Sequence, residues 1–117
     1  AYARAKRGLM IATEQWAEQI SDFSFNAMHP GWAETQGVVD ALPTFYKITK
    51  PFLRTAEQGA DTIVWMASAK EAGELNGAFL LDRTPHTTHL MAKTKASEQE
   101  RNLLIEKLNE FANSFKK

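Results

Sequence analysis

The chain is organised around one stretch, Phe23-Ser24-Phe25-Asn26-Ala27-Met28-His29-Pro30-Gly31-Trp32-Ala33-Glu34-Thr35. In its first half, apolar residues alternate with Ser24 and Asn26, the pattern of a strand of about five or six residues. Pro30 has no backbone donor and Gly31 allows a sharp change of direction, so the strand is predicted to stop there. Ligands of α/β proteins bind in the loops at the carboxyl ends of strands. The Pro-Gly loop is therefore a candidate binding edge, with a simple strand-to-loop turn as the alternative.

The composition excludes several classes of function. The 117 residues suffice for one small domain, and 14 basic residues balance 14 acidic ones. No net charge would draw such a chain to nucleic acid or to an anionic membrane. There is no cysteine, which excludes disulfides, thiol catalysis and cysteine-ligated zinc. No window approaches the roughly 18 apolar residues of a spanning helix. Without cysteine or an N-glycosylation triplet, nothing requires a secreted context, so a cytoplasmic location is the default expectation.

The beginning of the chain predicts a longer parent protein. Ala1 is not a methionine, and the segment that follows resembles the interior of a helix without a preceding signal peptide. Residues 1 to about 20 are rich in helix-forming side chains and contain no proline. An apolar stripe is predicted along this helix at Leu9, Ala12, Trp16 and Ile20.

The segment 36–54 is strongly apolar, but Gly37, Pro43 and Pro51 interrupt it. It is predicted to form short helical turns rather than one element. An interrupted apolar segment after a binding edge suits a mobile substrate lid. Core packing under a loop is the alternative, and the basic side chains are expected to form a solvated face, namely Lys47, Lys50 and Arg54.

Two further helices are marked by capping boxes. Thr55 and Gln58 predict one helix start, and Ser97 and Glu100 predict another. In the first of these helices, Gly59 indicates close packing against a neighbour. That helix is expected to end near residues 72–73, with a buried face of Ala60, Ile63, Val64 and Ala67. The last helix is expected to run to about Ser114, with an inner stripe of Leu104, Leu108, Phe111 and Phe115.

The remaining strand signal is the continuous apolar run 77–82, which is typical of a strand buried on both faces. Residues 83–94 are expected to be irregular. The coarse order is then helix, strand, broken helices, helix, strand, helix, which implies parallel strands with crossover helices. Two strands leave unpaired edges and little apolar cover. The fold class is therefore α/β, as the carboxyl-terminal portion of a Rossmann-like doubly wound parallel sheet.

The sharpest chemical pair is Tyr2 and Lys6, which lie one helical turn apart. A neighbouring ammonium favours the phenolate form of a tyrosine, which could then deliver or accept a proton at a carbonyl or alcohol. Tyr and Lys four residues apart also occur by chance in many helices, so the spacing alone leaves both interpretations open.

The order of these motifs resembles the short-chain dehydrogenase/reductase superfamily, which has a Tyr-x-x-x-Lys helix followed by a strand ending in Pro-Gly. A threonine follows four residues after the glycine, as Thr35 does here. Four segments of the sequence are similar to the retinol-dehydrogenase-like branch of this superfamily. They are His29-Pro30-Gly31-Trp32, Thr35-Gln36-Gly37-Val38, Lys50-Pro51-Phe52-Leu53-Arg54 and Glu57-Gln58-Gly59-Ala60-Asp61-Thr62. The likeness covers essentially the whole chain.

The resemblance implies NAD(P)-dependent hydride transfer between nicotinamide and a carbonyl/alcohol substrate. Tyr2 would be the catalytic acid/base, and Lys6 would favour its ionisation and hydrogen-bond the nicotinamide ribose. Thr35 would hold the carboxamide or the pyrophosphate. The nicotinamide itself would be lined by Pro30, Gly31, Trp32 and the backbone near Ala33. The implied partners are a small-molecule carbonyl/alcohol substrate, the missing amino-terminal half of the fold and a second copy in a homo-oligomer. The apolar segment 36–54 favours an apolar substrate.

The chain also departs from the family pattern. Ala33 stands where valine or isoleucine is frequent, which predicts looser packing. The glycine-rich dinucleotide loop, the residue that selects NAD or NADP, the Asn-Ala-Gly segment and the catalytic serine are absent from these residues. The chain alone is therefore expected to be inactive, and a non-catalytic structural or interaction module derived from a dehydrogenase is the alternative.

Other polar side chains carry weaker signals. His86 and His89 are close in sequence, but no third ligand is placed near them, so no metal site is expected. His29 is expected to be a packed or hydrogen-bonded residue rather than a base. The three tryptophans are expected in the core or in a pocket wall, because no basic groove accompanies them.

Overall fold

The computed structural model describes residues 1–34, 43–89 and 91–116. Thr35 and the first part of the predicted lid lie outside these residues. In the described part the elements are α1 (Tyr2–Gln19), β1 (Ala27–Met28), α2 (Pro43–Thr49), a 3₁₀ helix (Lys50–Phe52), α3 (Ala56–Ser68), a 3₁₀ helix (Glu71–Glu74), β2 (Phe79–Leu81), β3 (Thr84–His86), a 3₁₀ helix (Ala92–Thr94) and α4 (Glu98–Ser114).

Two compact units divide the chain, and each is described by itself. The first comprises Ala1–Ala27, Leu75–Phe79 and His86–Lys117, and the second comprises Met28–Glu74 and Leu80–Pro85. Within the described residues, no helix combines the length and apolar character needed to cross a membrane.

The first unit is built on α1, which confirms the helix predicted at residues 1–20. Of the predicted apolar stripe, Ala12 is buried, whereas Leu9, Trp16 and Ile20 are exposed, so the stripe was only partly right. The buried side instead contains Ile11, Ala12 and Gln15. α1 packs against α4, and Arg101 binds Glu18 across the pair at 2.6 Å.

The predicted strand at residues 23–28 is reduced to Ala27–Met28 because asparagine side chains replace part of the strand pairing. The amide of Phe25 donates to Asn76 Oδ1 at 2.9 Å, and the Asn26 side chain donates to the carbonyl of Leu75 at 2.8 Å and accepts from the amide of Ala78 at 2.9 Å. Backbone hydrogen bonds flank these side-chain contacts, since the carbonyl of Phe25 accepts from the amide of Gly77 at 2.7 Å. The amide of Ala27 donates to Ala78 at 2.9 Å, and that of His29 donates to Leu80 at 2.8 Å.

The sheet has the strand order β1-β2-β3 and is mixed, which corrects the all-parallel expectation while keeping the α/β class. β1 and β2 run parallel, whereas β2 and β3 form a hairpin closed by Asp82 and Arg83. Both residues have positive φ, 52° and 61°, as a type I′ turn requires. The prediction of irregular chain after residue 82 was therefore wrong for β3. Leu80, at the centre of β2, is fully buried, and its two strand neighbours are partly buried.

α3 begins at the predicted capping box. The backbone amide of Gln58 donates to Thr55 Oγ1 at 3.2 Å, and Gln58 Oε1 accepts from the backbone amide of Thr55 at 2.9 Å. The helix ends at Ser68, before the predicted end. Its predicted buried face was also wrong, because Ile63 and Val64 are 53% and 59% exposed. The buried residues are Gly59 and Thr62.

The other helical predictions have mixed outcomes. The capping box of Ser97 and Glu100 and the end of α4 at Ser114 are confirmed. The expected inner stripe is not, since α4 has no buried residue and Leu108, Phe111 and Phe115 are exposed. Short helical turns at Pro43–Thr49 and Lys50–Phe52 agree with the prediction for the described part of the segment 36–54.

Candidate functional site

Tyr2 and Lys6 lie in the first turns of α1, as their spacing predicted. Tyr2 is 76% exposed, and Lys6 is exposed as well. The Lys6 Nζ atom is 5.6 Å from the centroid of the Tyr2 ring, within the range of a cation–π contact. The structure therefore brings a phenol and an ammonium together on one accessible face of the helix.

The Pro-Gly loop after β1 is held locally by His29 and Gly31. The amide of Gly31 donates to His29 Nδ1 at 2.9 Å, so His29 serves as a hydrogen-bonded residue, as expected. Gly31 has a φ of 74°, which a residue with a Cβ adopts only with strain. Trp32, the next residue, is exposed. The local bond and the glycine conformation together set the direction in which the chain leaves the sheet.

Arg54 holds the same loop through its backbone. Its amide donates to the carbonyl of Trp32 at 2.8 Å, and its carbonyl accepts from the amide of Glu34 at 2.8 Å. These two bonds form a parallel bridge between Ala33 and Arg54. Ala33 is thereby fixed on both sides, although it was expected to pack loosely.

The side chain of Arg54, which was expected in a solvated face, is only partly exposed and is ion-paired. Its guanidinium donates to both carboxylate oxygens of Asp82, with Nη1···Oδ1 at 2.5 Å and Nη2···Oδ2 at 2.8 Å, and to the carbonyl of Pro30 at 3.5 Å. The side chain is 34% exposed. The Asp82 carboxylate raises the pKa of Arg54 above its ordinary value. The paired arginine therefore carries a fixed positive charge beside the loop.

α3 contacts the loop from another direction through Gly59. A Cβ atom at Gly59 would lie 2.9 Å from the Cβ of Ala33 and 3.6 Å from that of Pro30. The predicted close packing of Gly59 is confirmed, and its neighbour is the Pro-Gly loop. The small side chain at Ala33, which departs from the family pattern, matches the missing side chain at Gly59.

A second ion pair lies on the same hairpin. Arg83 binds Asp61 bidentately, with Nε···Oδ2 at 2.8 Å, and the Arg83 amide donates to Thr62 Oγ1 at 3.2 Å. The guanidinium of Arg83 lowers the pKa of Asp61. An open groove of about 530 Å³ runs between the two ion pairs and is lined by Arg54, Glu57, Gln58, Asp61 and Asp82.

The two histidines after β2 lie with the first unit. Thr88, between them, donates its hydroxyl to Glu14 at 2.7 Å and accepts at its carbonyl from Arg7 at 2.6 Å. In the described residues, no group of three or more histidine or acidic side chains has the arrangement of a metal site.

The site residues singled out in the sequence fall in both units. Tyr2 and Lys6 belong to the first, and Pro30, Gly31, Trp32 and Ala33 belong to the second. The residues that sequence reasoning missed are Arg54 and Asp82. The two-residue spacing between strands at Asp82-Arg83 was the available signal for the hairpin, whereas nothing local marks the long-range partner of Arg54.

The chain is 43% identical over 117 residues to dehydrogenase/reductase SDR family member 12 of Homo sapiens, and equally to that of Bos taurus. These alignments cover 98% of this chain. The chain belongs to the short-chain dehydrogenase/reductase family. It spans 37% of the length of each of these two relatives.

A more distant relative is named as a ketoreductase. A protein of Streptomyces sp. (strain C5), provisionally named daunorubicin C-13 ketoreductase DnrU, is 31% identical over 83 residues, covering 71% of this chain and 29% of its own length. No protein-family model and no solved structure matches the chain. Family membership supports an α/β fold.

Proposed function

We propose that the chain is the carboxyl-terminal part of an NAD(P)-dependent oxidoreductase, with Tyr2 as the proton donor and acceptor. The observation that carries this proposal is the contact of Lys6 with Tyr2 on an exposed helix face, 5.6 Å from Nζ to the ring centroid, in a chain of the dehydrogenase/reductase family. An exposed phenol is accessible to substrate, and the Lys6 ammonium lies beside it. The pair suits proton transfer at a carbonyl or alcohol oxygen.

Each unit contains groups of the kind that bind the nicotinamide end of a dinucleotide. In the first unit, the Lys6 ammonium can donate hydrogen bonds to ribose hydroxyls. Pro30, Gly31, Trp32 and Ala33 are proposed to line the ring, with Thr35 binding the carboxamide or the pyrophosphate. When bound, the nicotinamide supplies or accepts the hydride.

Residues of this chain are proposed to carry out the proton transfers. In the reductive direction, the Tyr2 hydroxyl gives its proton to the carbonyl oxygen as that oxygen gains negative charge, and the Lys6 ammonium stabilises the phenolate that remains. In the oxidative direction, the phenolate takes the proton from the alcohol. The loop contributes orientation, because its backbone is held by hydrogen bonds to Arg54 at 2.8 Å.

Further proposals concern the upstream half of the fold, the substrate, the choice of cofactor and the oligomeric state. The glycine-rich dinucleotide loop and the catalytic serine are not among these residues, so the chain alone is proposed to be inactive and to need an upstream half of the fold. A carbonyl/alcohol substrate agrees with the name of the Streptomyces relative, which specifies a ketoreductase. NAD and NADP remain equal alternatives, and a lid in the segment 36–54, an apolar substrate and a homo-oligomer remain proposals.

The alternative function is a non-catalytic interaction module. One observation favours it, namely a pair of exposed aromatic rings at the end of α4, where the centroids of Phe111 and Phe115 are 4.9 Å apart. Exposed aromatic side chains are frequent at protein interfaces.

The first experiment is the intact mass of the natural protein, followed by an assay of NADH and NADPH oxidation with a panel of ketones and aldehydes. Activity that Tyr2→Phe lowers by about 10²–10⁴-fold, the range for a general acid–base group, supports the proposal. Lys70→Met, an exposed lysine outside the proposed site, is the control. A natural protein with no activity toward any of these substrates, or an active protein unaffected by Tyr2→Phe, would contradict the proposal.

A further inference from the structure

We propose that Arg54 is a positioning residue for the nicotinamide-facing loop, acting through its ion pair with Asp82. This inference rests on the proposed function, since it assigns to Arg54 the task of holding Pro30–Ala33 in the conformation that binds cofactor. Arg54, Asp82 and the loop all belong to the second compact unit.

The backbone of Arg54 fixes the outgoing half of the loop. Its amide and carbonyl bind the carbonyl of Trp32 and the amide of Glu34, each at 2.8 Å. This bridge gives the loop a partner outside the three-stranded sheet. A displacement of the Arg54 backbone would therefore also displace residues 32–34 or break these two hydrogen bonds.

The side chain of Arg54 fixes the incoming half. Its Nη1 atom donates to the carbonyl of Pro30 at 3.5 Å while the same guanidinium binds both oxygens of Asp82. Asp82 occupies the hairpin turn with a φ of 52°, directly after the strand that contains the fully buried Leu80. The ion pair thus ties the loop to the turn between β2 and β3.

Gly31 lies against the guanidinium. A Cβ atom at this position would be 2.8 Å from the Nε, Cζ and Nη1 atoms of Arg54. The guanidinium fills the place that a side chain at position 31 would take, and the positive φ of Gly31 is compatible with that approach. A planar fork matches this arrangement, whereas a lysine ammonium has no pair of parallel donors for the two oxygens of Asp82.

The hairpin offers a matched control in Arg83. It follows Asp82 directly, binds Asp61 bidentately and is likewise partly exposed, but its partners Asp61 and Thr62 lie on α3 rather than in the loop. Loss of either arginine removes one charge and one bidentate pair from the same turn. Only loss of Arg54 removes contacts with the loop.

The test uses the full-length natural protein with Arg54→Met, Arg54→Lys, Asp82→Asn and Arg83→Met. For Arg54→Met we expect the KM for the nicotinamide cofactor to rise about tenfold or more, because a charge-assisted hydrogen-bonded contact is lost, while kcat at saturating cofactor changes much less. Asp82→Asn should act in the same direction. Arg54→Lys should restore only part of the affinity, and Arg83→Met should leave KM within about twofold.

A second measurement follows the loop directly. Hydrogen exchange at the amides of Gly31 and Glu34, which donate to His29 Nδ1 and to the Arg54 carbonyl, should accelerate in Arg54→Met and Asp82→Asn and stay unchanged in Arg83→Met. If Arg54→Met does not fold, Asp82→Asn and Arg54→Lys are compared with Arg83→Met in its place.

The possible failures are distinct. An active enzyme whose cofactor KM and loop exchange are unaffected by Arg54→Met, or are affected equally by Arg83→Met, would overturn the positioning role alone. A wild-type protein without cofactor-dependent activity would remove the proposed function and this role with it. The exchange data would then still show whether Arg54 holds the loop.

Discussion

The first turn of α1 and the loop Pro30–Ala33 contain the two groups of residues in the proposed chemistry, and they are held by different kinds of contact. Tyr2 is 76% exposed, and its contact with Lys6 comes from a residue one turn further along the same helix. The loop is held by Arg54 and Gly59, which are distant from it in sequence. A change at Tyr2 or Lys6 should therefore affect chemistry with little effect on folding, whereas a change around the loop should affect both.

The largest expected effect separates chemistry from stability at the Tyr2–Lys6 turn. In the full-length protein, Lys6→Met should lower kcat/KM by about 100-fold or more, since it removes the cation proposed to stabilise the negative charge left on Tyr2 after proton transfer. The melting temperature should hardly change, because Lys6 is exposed and surface substitutions usually alter the free energy of unfolding by less than about 0.5 kcal/mol. Steady-state kinetics and thermal unfolding on the same preparations measure both quantities.

A double variant sharpens this prediction. Residues that act as a unit have strongly non-additive effects, so Tyr2→Phe/Lys6→Met should be little worse than Tyr2→Phe alone. Effects that multiply instead would show that Lys6 acts independently of Tyr2. An unchanged kcat/KM in Lys6→Met would contradict the proposed pair.

The second prediction concerns the contact of α3 with the loop. Gly59→Ala should lower the free energy of unfolding by about 1–2 kcal/mol and raise the cofactor KM. The added Cβ would lie 2.9 Å from the Cβ of Ala33, and such overpacking outweighs the better helix propensity of alanine. Chemical denaturation and steady-state kinetics provide the measurements.

Gly73→Ala is the matched control for Gly59→Ala. No heavy atom lies within 4 Å of a Cβ at Gly73, so this variant should be neutral or slightly stabilising and should not change KM. Equal stability of the wild type and Gly59→Ala would show that the helix and the loop can move apart at little cost.

The accuracy of the sequence predictions follows the same division between local and distant contacts. The two capping boxes, at Thr55/Gln58 and Ser97/Glu100, involve partners three residues apart, and both were predicted correctly. The side-by-side placement of Tyr2 and Lys6 is also local. Sequence spacing is sufficient wherever the geometry of one helix brings the partners together.

The failures involve partners far apart in sequence. The strand expected at residues 23–28 was shortened because Asn76 supplies a side-chain acceptor to the amide of Phe25. The buried side of α3 was misjudged because Gly59 packs against the loop, which leaves Ile63 and Val64 exposed. Helical periodicity predicts that an apolar side exists but does not specify which element covers it.

The loop shows the consequence of that limit for the candidate site. Its location after a strand and its Pro-Gly turn were predicted from local signals. The ion pair of Arg54 with Asp82 was not, because the two residues are separated by 28 positions and each could equally have been a solvated charge. The resemblance to a family supplied the site residues, and the structure supplied the contacts that hold them.

The smallest expected effect concerns the starts of α3 and α4. α3 contacts the loop and α4 packs on α1, and their capping boxes differ in charge. α4, which packs on α1, starts with Ser97 and the ionisable Glu100, whereas α3 starts with Thr55 and the neutral Gln58. Hydrogen bonds from the backbone and then the side chain of Ser97 lower the pKa of Glu100 below its ordinary value of 4.5. The stabilisation from this charge is therefore fully present above about pH 4.5 and is lost as the pH falls through the lowered folded-state pKa.

Glu100→Gln tests this sign, because glutamine keeps a hydrogen-bond acceptor for the amide of Ser97 but cannot ionise. The variant should melt at a lower temperature than the wild type at pH 7, since a carboxylate at a helix start also interacts favourably with the helix dipole. The difference should shrink as the pH falls below about 4.5 and vanish once the pH is well below the lowered folded-state pKa of Glu100. The reverse change, Gln58→Glu, should add a stabilisation of α3 with the same pH dependence. A difference between Glu100→Gln and the wild type that persists undiminished at low pH would mean that the glutamine disturbs the geometry of the cap, and the charge would then not distinguish the two helix starts.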